Sequence, residues 1–311
     1  MTADERQGWV KTTREAQGRV SGDGVDLAFG YWPGRGAPVV ALHGLTASYV
    51  SFLGVAERLA GRRPVFALDL RGRGDSDKPA GPYGMPQHAQ DVAAAMRAMG
   101  LEPSVVVGHS MGGFVAAALA AQEPELVAGV VLIDGGYAPA IPAAAPQQGL
   151  DAALALRITQ LRQAYPSREA YRQFWRGQPH FPPEEWGPWV EAFLDYEVGG
   201  EEPELRPKAS EDGVRADLME GLQREHMIAR LQAIRVPVLM IRAPAGFVPG
   251  TPPLYPDAMM EQMRTCVQTM DEELIAGTTH YTILMGNRGA TRVADLVDDF
   301  AGRRGHDVAR S

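Results

Sequence analysis

One short segment of the chain combines a nucleophile with a setting that could activate it. Gly108-His109-Ser110-Met111-Gly112 follows the apolar, strand-like run 105–107 and opens an apolar helical pattern over 111–122. A serine in such a tight strand-to-helix turn holds its hydroxyl at the sheet edge, and only small residues fit two positions before and after it. The helix N-terminus behind it favours negative charge. The segment therefore predicts Ser110 as a nucleophile.

A second segment could supply hydrogen-bond donors to the same place. His43-Gly44-Leu45 follows the strand-like run 38–42. The backbone N–H groups of Leu45 and Met111 are predicted to form a two-donor oxyanion hole. His43 itself is expected to be a structural hydrogen-bonding residue. The glycine-rich segment 69–76 lacks the G-x-x-x-x-G-K-[ST] spacing of a phosphate loop and is interpreted as a structural turn.

The elements that must position these residues alternate between strand and helix. Helical patterns at 51–59, 86–99, 111–122 and 288–300 separate short apolar runs, which are strand candidates at 25–32, 38–42, 64–68, 105–107, 130–133, 237–241 and 272–275. This alternation predicts an α/β protein with a mostly parallel sheet and helices on both faces. Residues 137–233 show helical periodicity and no convincing strand. They are predicted to be an insertion into a core formed by 1–136 and 234–311.

The motifs together resemble the α/β-hydrolases, and within them the branch of esterases, lactonases and cofactor-free haloperoxidases. The resemblance rests on Leu42-His43-Gly44, on 69–76, on 108–113 and on Gly277-Thr278-Thr279-His280, which have the order and spacing of that family. It implies an eight-stranded, mostly parallel sheet with a helical cap over the active site. Because residue 110 is serine and not aspartate, it argues against the haloalkane-dehalogenase and epoxide-hydrolase branches.

The resemblance also implies the order nucleophile, acid, histidine along the chain. Of the histidines after Ser110, His180 and His226 fall in the helical insertion and His306 in the C-terminal tail. His280 lies in a loop between the last strand-like run and the last helix. It is therefore expected to be the general base.

The acid departs from the commoner family pattern. No carboxylate follows the run 237–241, where the sequence reads Arg242-Ala243-Pro244-Ala245-Gly246-Phe247. Asp134 ends the preceding strand candidate, at the same sheet edge as Ser110, and some family members place the acid there. Asp134 is therefore the predicted acid. Asp257 is the competing candidate, and a purely structural Asp134 is the other alternative.

The cap position of the insertion makes its aromatic residues candidates for the substrate pocket. Trp186 and Trp189 are three residues apart and so share one helix face, a spacing that fits either a pocket wall or the core of the cap. Phe114, just after the nucleophile, is expected to pack in the helix core.

Composition excludes several classes of partner and cofactor. The chain has 311 residues, 45% hydrophobic and 22% charged, and a net charge of −8. Residues 184–225 hold thirteen acidic against four basic residues. This block is interpreted as solvated surface, and without a basic stripe no nucleic-acid partner is expected. Cys266 is the single cysteine, so neither an intrachain disulfide nor a cysteine metal site can form.

The function expected from these features is that of a cytoplasmic serine hydrolase. It would cleave a small-molecule carboxylic ester or lactone through an acyl-enzyme, without metal or cofactor and without a membrane span, since no apolar run reaches eighteen residues. Three alternatives remain open. The same triad serves carbon–carbon bond hydrolases and cofactor-free perhydrolases, and the same fold can act as a ligand-sensing receptor with little turnover. The sequence indicates no oligomeric state.

Overall fold

Apolar runs along the chain assemble into one eight-stranded sheet. The computed structural model describes residues 16–308 except 102, 138–154 and 156. The sheet strands are β1 (Ala16–Ser21), β2 (Asp26–Trp32), β3 (Val39–Leu42), β4 (Val65–Leu68), β5 (Ser104–His109), β6 (Val127–Ile133), β9 (Val238–Arg242) and β10 (Met270–Leu274). A separate short hairpin joins β7 (Val198–Gly199) to β8 (Arg206–Pro207).

The strand order confirms the predicted mostly parallel sheet. It runs β1-β2-β4-β3-β5-β6-β9-β10, and only the pairs β1–β2 and β2–β4 are antiparallel. Strand β1 has no counterpart among the runs singled out in the sequence. In β1 only Val20 is buried, because the strand lies at the sheet edge and carries mostly polar residues. The central strands β3, β4 and β5 are buried along their whole length.

Helices cover both faces of the sheet, as the sequence predicts. Helices α1 (Leu53–Leu59), α9 (Thr282–Met285) and α10 (Asn287–Val308) pack together on one face. The other face carries α2 (Met85–Met99), α3 (Met111–Gln122), α7 (Arg224–Ala233) and α8 (Asp257–Arg264). Alternate residues of one strand enter the two cores, so that Val106 faces one core while Val105 and Val107 face the other. None of the helices within the described residues is both long enough and apolar enough to span a bilayer.

The chain between β6 and β9 is largely helical where it is described. Residues 157–162 are helical and are followed by α4 (Arg168–Arg176), α5 (Pro188–Glu197), α6 (Glu211–Gly221) and α7. The expectation that this stretch contains no strand is wrong, because β7 and β8 form an antiparallel pair between α5 and α6. The first part of the predicted insertion, residues 138–154, lies outside the described residues.

Two arginines in the loop after β4 form buried ion pairs with aspartates on helices. Arg71 donates to Asp91 on α2 from Nε and Nη2, both at 2.5 Å. Arg73 Nη1 lies 2.6 Å from the carboxylate of Asp217 on α6, and both side chains are fully buried. Burial alone would raise the pKa of Asp217, but Arg73 and His88 outweigh it and lower the pKa to about 2. The interpretation of the acidic block as solvated surface is therefore wrong for Asp217, which ties α6 to the core.

Replacing Asp217 by asparagine should strongly destabilise the protein, because Arg73 would remain buried without a countercharge. Loss of one partner of a buried ion pair costs about 3–5 kcal/mol. We expect Asp217→Asn to lower the free energy of unfolding in urea by that amount, whereas Asp212→Asn, on the exposed face of the same helix, should change it by less than about 0.5 kcal/mol. Equal stability of the two variants would contradict a structural role for the pair.

Candidate active site

Ser110 occupies a strained turn between β5 and α3. Its backbone has φ 54° and ψ −120°, a left-handed φ that residues other than glycine rarely adopt. A Cβ at Gly108 would lie 2.1 Å from the carbonyl oxygen of Gly112, and a Cβ at Gly112 would lie 2.0 Å from the carbonyl oxygen of Leu42. No real side chain fits at such distances. The two glycines therefore allow the turn for the steric reason inferred from the sequence.

The backbone N–H groups of Leu45 and Met111 flank this serine. A Cβ at Gly44 would lie 3.2 Å from the Ser110 Cβ, which shows how closely the turn after β3 approaches the nucleophile. Within the described residues neither N–H donates a hydrogen bond to another group of the protein. The Leu45 carbonyl, in contrast, accepts a 2.9 Å hydrogen bond from Arg73 Nε. Arg73 thus fixes the turn through its carbonyl group, while the Leu45 N–H stays available to a substrate.

The structure brings Asp134 and His280 together, 146 residues apart in sequence. His280 Nδ1 donates to Asp134 Oδ2 at 2.6 Å, and the other carboxylate oxygen accepts from the Ala243 N–H at 3.2 Å. Both side chains are buried. With Nδ1 committed to the carboxylate, Nε2 of His280 is the ring nitrogen left to exchange a proton.

The loop of His280 is held by backbone contacts on both sides. The His280 N–H donates to the Gly246 carbonyl at 2.9 Å, and His109 Nε2 donates to the His280 carbonyl at 2.9 Å. Burial keeps the pKa of His109 well below its usual range, so that this ring is neutral. His109, the residue before the nucleophile, therefore ties the loop of His280 to the end of β5.

The competing acid lies elsewhere. Asp257 is the first residue of α8, its side chain is 86% exposed, and it pairs with Arg242 at 2.6 Å. The structure does not bring it to His280. The loop between β9 and α8 reaches the cavity through Phe247 and Leu254 but leaves Asp257 at the surface.

His43 has the structural role expected from the sequence. It is fully buried, its Nδ1 donates to the Gly44 carbonyl at 2.7 Å, and its Nε2 accepts from the Leu70 N–H at 3.0 Å. Burial lowers its pKa to about 3, so the ring is neutral. Both ring nitrogens are occupied, and His43 fixes the start of the Leu45 turn.

A cavity of about 540 Å³ opens over these residues, with Ser110, Asp134 and His280 in its wall. Most of the remaining wall is apolar or aromatic and comes from the described helices between β6 and β9 and from the loops after β3 and β9. Phe114 packs against the core as expected and also lines the cavity. Its position one turn into α3 points it toward the same opening as Ser110.

Trp186 and Trp189 do not line this cavity, and their assignment to the pocket is corrected. Trp189 packs against Gly54 of α1, donates to Glu57 at 2.8 Å and lies under the Arg58 guanidinium. Trp186 donates to Glu191 at 2.9 Å. The prediction that the two tryptophans share a helix face is wrong, because Trp186 precedes α5 and has an extended backbone, and only Trp189 lies in the helix, where it attaches α5 to α1.

Two acidic residues that were not predicted from the sequence also line the cavity, Glu197 and Asp217. Glu197 is the last residue of α5 and is 8% exposed. A signal for it is present in the sequence, because Val190, Phe193 and Glu197 recur at helical spacing on one buried face. The local excess of negative charge concealed that pattern.

Comparison with known proteins shows the family of the chain. A family model described as the alpha/beta hydrolase fold matches residues 37–176. A 2-(acetamidomethylene)succinate hydrolase from Mesorhizobium japonicum is 31% identical over 210 residues, which are 67% of this chain and 71% of that protein. The chain belongs to the α/β-hydrolase family.

Other α/β-hydrolases resemble the chain over different lengths. An N-formylmaleamate deformylase from Pseudomonas putida is 35% identical over 124 residues, 40% of this chain and 46% of that protein. The crystal structure of an E-2-(acetamidomethylene)succinate hydrolase superposes with a TM-score of 0.77 at 23% identity, over 92% of this chain and 100% of that one. The α/β-hydrolase fold thus extends over nearly the whole chain, and the curated relatives named here are hydrolases.

The two candidate acids can be separated by mutation. If Asp134 orients His280, Asp134→Asn should lower kcat by roughly 10²–10⁴, because the histidine loses both its tautomer control and its countercharge. Asparagine tolerates the positive φ of 44° at this position, so the fold should survive. Asp257→Asn should stay within a few-fold of wild type. Steady-state kinetics of both variants, with circular dichroism as a folding check, decide between them, and the opposite ranking would move the acid to Asp257.

Proposed function

We propose that the protein is a serine hydrolase that cleaves a carboxylic ester or lactone through an acyl-enzyme. The proposal is carried by one observation, the Asp134–His280 hydrogen bond in the wall of a cavity that also contains the strained Ser110. A nucleophile, a base and a group that orients the base are the components of this chemistry. The helices between β6 and β9 form the cap in this proposal, within an insertion spanning 137–233.

In the proposed reaction Ser110 Oγ attacks the substrate carbonyl carbon and His280 Nε2 takes the hydroxyl proton. The Leu45 and Met111 N–H groups stabilise the oxyanion that forms, and the dipole of α3 adds to their effect. His280 then returns the proton to the leaving alcohol, which departs as the acyl-enzyme forms. Water, deprotonated by His280, attacks that ester in the second half of the cycle, and Ser110 recovers the proton as the acid leaves.

The cavity favours a substrate with a large apolar part. Among the described lining residues Arg157 is the only arginine or lysine, and most of the others are apolar or aromatic. A succinate derivative, as named for the Mesorhizobium relative, carries two carboxylates that would each need a positive partner. Apolar esters are therefore the substrate class that the cavity fits best, and carboxylic dianions fit it less well.

A serine-directed reagent tests the central claim. A fluorophosphonate should add one equivalent to Ser110 and abolish hydrolysis of 4-nitrophenyl esters, because the strained turn exposes and activates that hydroxyl. Ser110→Ala should neither react nor turn over. Ser51→Ala, which removes another cavity-lining hydroxyl, should be labelled at the wild-type rate.

Peptide mapping by mass spectrometry locates the adduct, and an adduct on another residue would overturn the assignment. Normal esterase activity in Ser110→Ala would do the same. Tight binding of an ester without turnover by the wild-type protein would instead favour the receptor alternative.

A further inference from the structure

One buried acidic group in the cavity wall forms no ion pair with any residue that the structure describes. Glu197 lines the cavity from the C-terminal end of α5, and among the described residues the Ser48 hydroxyl is the only side chain beside its carboxyl that acts as a hydrogen-bond partner. Its backbone carbonyl is occupied by the Lys208 N–H at 2.8 Å, which leaves the side chain out of the hairpin's hydrogen bonding. A buried carboxyl can make several hydrogen bonds and is costly when most of them are missing, so Glu197 calls for an explanation.

The residues around Glu197 form a surface suited to an organic ligand. Phe193 lies one turn earlier on the same helix, and Tyr171 of α4 is close enough to interact electrostatically with the carboxyl. They belong to an aromatic wall of the cavity, formed by Tyr165, Tyr171, Phe174, Trp175, Phe181 and Phe193. The Ser48 hydroxyl is fully buried beside the carboxyl and makes no hydrogen bond to any other described group.

We propose that the Glu197 carboxyl determines substrate specificity by donating a hydrogen bond to an uncharged oxygen, such as a ketone, ester or ether oxygen, on the apolar part of the substrate. This inference rests on the proposed ester hydrolysis and adds to it the class of substrate. Such a substrate would place its reacting carbonyl at Ser110 and a second oxygen against the aromatic wall. Glu197 then makes its full set of hydrogen bonds only when substrate is bound, which is how a site rejects analogues that lack the oxygen.

The surroundings of Glu197 favour its neutral form. Burial, with Asp69 adding to it, raises the pKa of Glu197 to about 8, although Ser48 and Lys208 act in the opposite direction. Lys208 is already engaged, since its Nζ lies 2.8 Å from Asp75 and 3.9 Å from the centre of the Tyr196 ring. At neutral pH the carboxyl therefore carries a proton that it can donate.

A cationic substrate is the alternative, because ionised carboxyl groups and aromatic rings both attract cations. Two observations argue against it here. The protonated carboxyl supplies no negative charge at neutral pH, and Arg157 already places a positive charge in the wall of the same cavity. An uncharged oxygen is thus the better match, and an ammonium substrate becomes an outcome that the experiment can detect.

The test compares 4-nitrophenyl esters whose acyl chains have equal length and differ in one group. One series carries a ketone at successive positions along the chain, the second is plain alkyl, and the third ends in an ammonium group. For wild-type protein we expect the best ketone ester to exceed its alkyl counterpart in kcat/KM by roughly tenfold, the range of one well-placed hydrogen bond. Most of the difference should appear in KM.

Three variants distinguish the possible roles of Glu197. Glu197→Gln keeps an uncharged donor and should retain the ketone preference, whereas Glu197→Leu should lose it while hydrolysing the alkyl ester at least as well as wild type. Glu191→Leu, at a half-buried acidic position of the same helix that does not line the cavity, is the matched control and should leave the preference unchanged. A preference for the ammonium ester that Glu197→Gln abolishes would overturn the proposal, and so would equal ketone preference in wild type and Glu197→Leu.

The pH dependence gives an independent readout. Above pH 8 the ionised carboxyl has no proton to donate and repels the substrate oxygen, so the ketone-to-alkyl ratio should fall through that pH. The ratio cancels any titration of the catalytic groups, which both esters share. In Glu197→Gln the ratio should not change with pH, and a wild-type ratio that stays constant from pH 6 to pH 10 would contradict the proposal.

Failure of the proposed hydrolysis would remain distinguishable. Turnover of the plain alkyl esters reports on the hydrolase function alone. If no ester is hydrolysed, the shift in melting temperature caused by 2-decanone is compared with that caused by decane. A larger shift with the ketone that disappears in Glu197→Leu would support the Glu197 site, and equal shifts would overturn it.

Discussion

The strained turn at Ser110 is the constraint on which the rest of the site depends. Ser110 and Asp134 are the two residues other than glycine with positive φ in the described part of the chain, and they end the neighbouring strands β5 and β6. Backbone strain of this kind persists only where the surrounding structure imposes it. Here the surroundings are backbone themselves, since a Cβ at Gly135 would lie 2.1 Å from the Ser110 carbonyl oxygen. The parallel sheet brings these strand ends together and so fixes the site.

The parts of this arrangement that follow from local pattern could be read from the sequence. The turn around Ser110 needs glycine at 108 and 112, and the ends of parallel strands lie at one edge of the sheet. Both facts restrict the candidates for nucleophile and acid to a few positions. The edge strand β1 escaped prediction because it contributes a single buried side chain, Val20, and therefore no apolar run.

Features that depend on how distant elements pack could not be read in the same way. Trp186 and Trp189 are three residues apart, but α5 begins at Pro188, so only Trp189 lies in the helix, and its packing against α1 keeps it out of the cavity wall. The sequence around Glu197 and Asp217 is acidic and looks like ordinary protein surface. Both residues are nevertheless buried, beside residues more than a hundred positions earlier in the chain: Glu197 beside Ser48, and Asp217 beside Arg73. Charge content along a segment says little about which single carboxylates point inward.

The buried ion pair between Arg73 and Asp217 should respond to ionic strength differently from the ion pairs at the surface of the molecule. Both charges are fully buried, out of reach of mobile ions, and Arg73 also holds the Leu45 carbonyl. The ion pairs on the outer side of α4 and α5, such as Arg176 with Glu191, are exposed to solvent and are screened as salt rises. Added salt should therefore loosen the outer helices first and leave α6 and the Leu45 turn in register with the sheet.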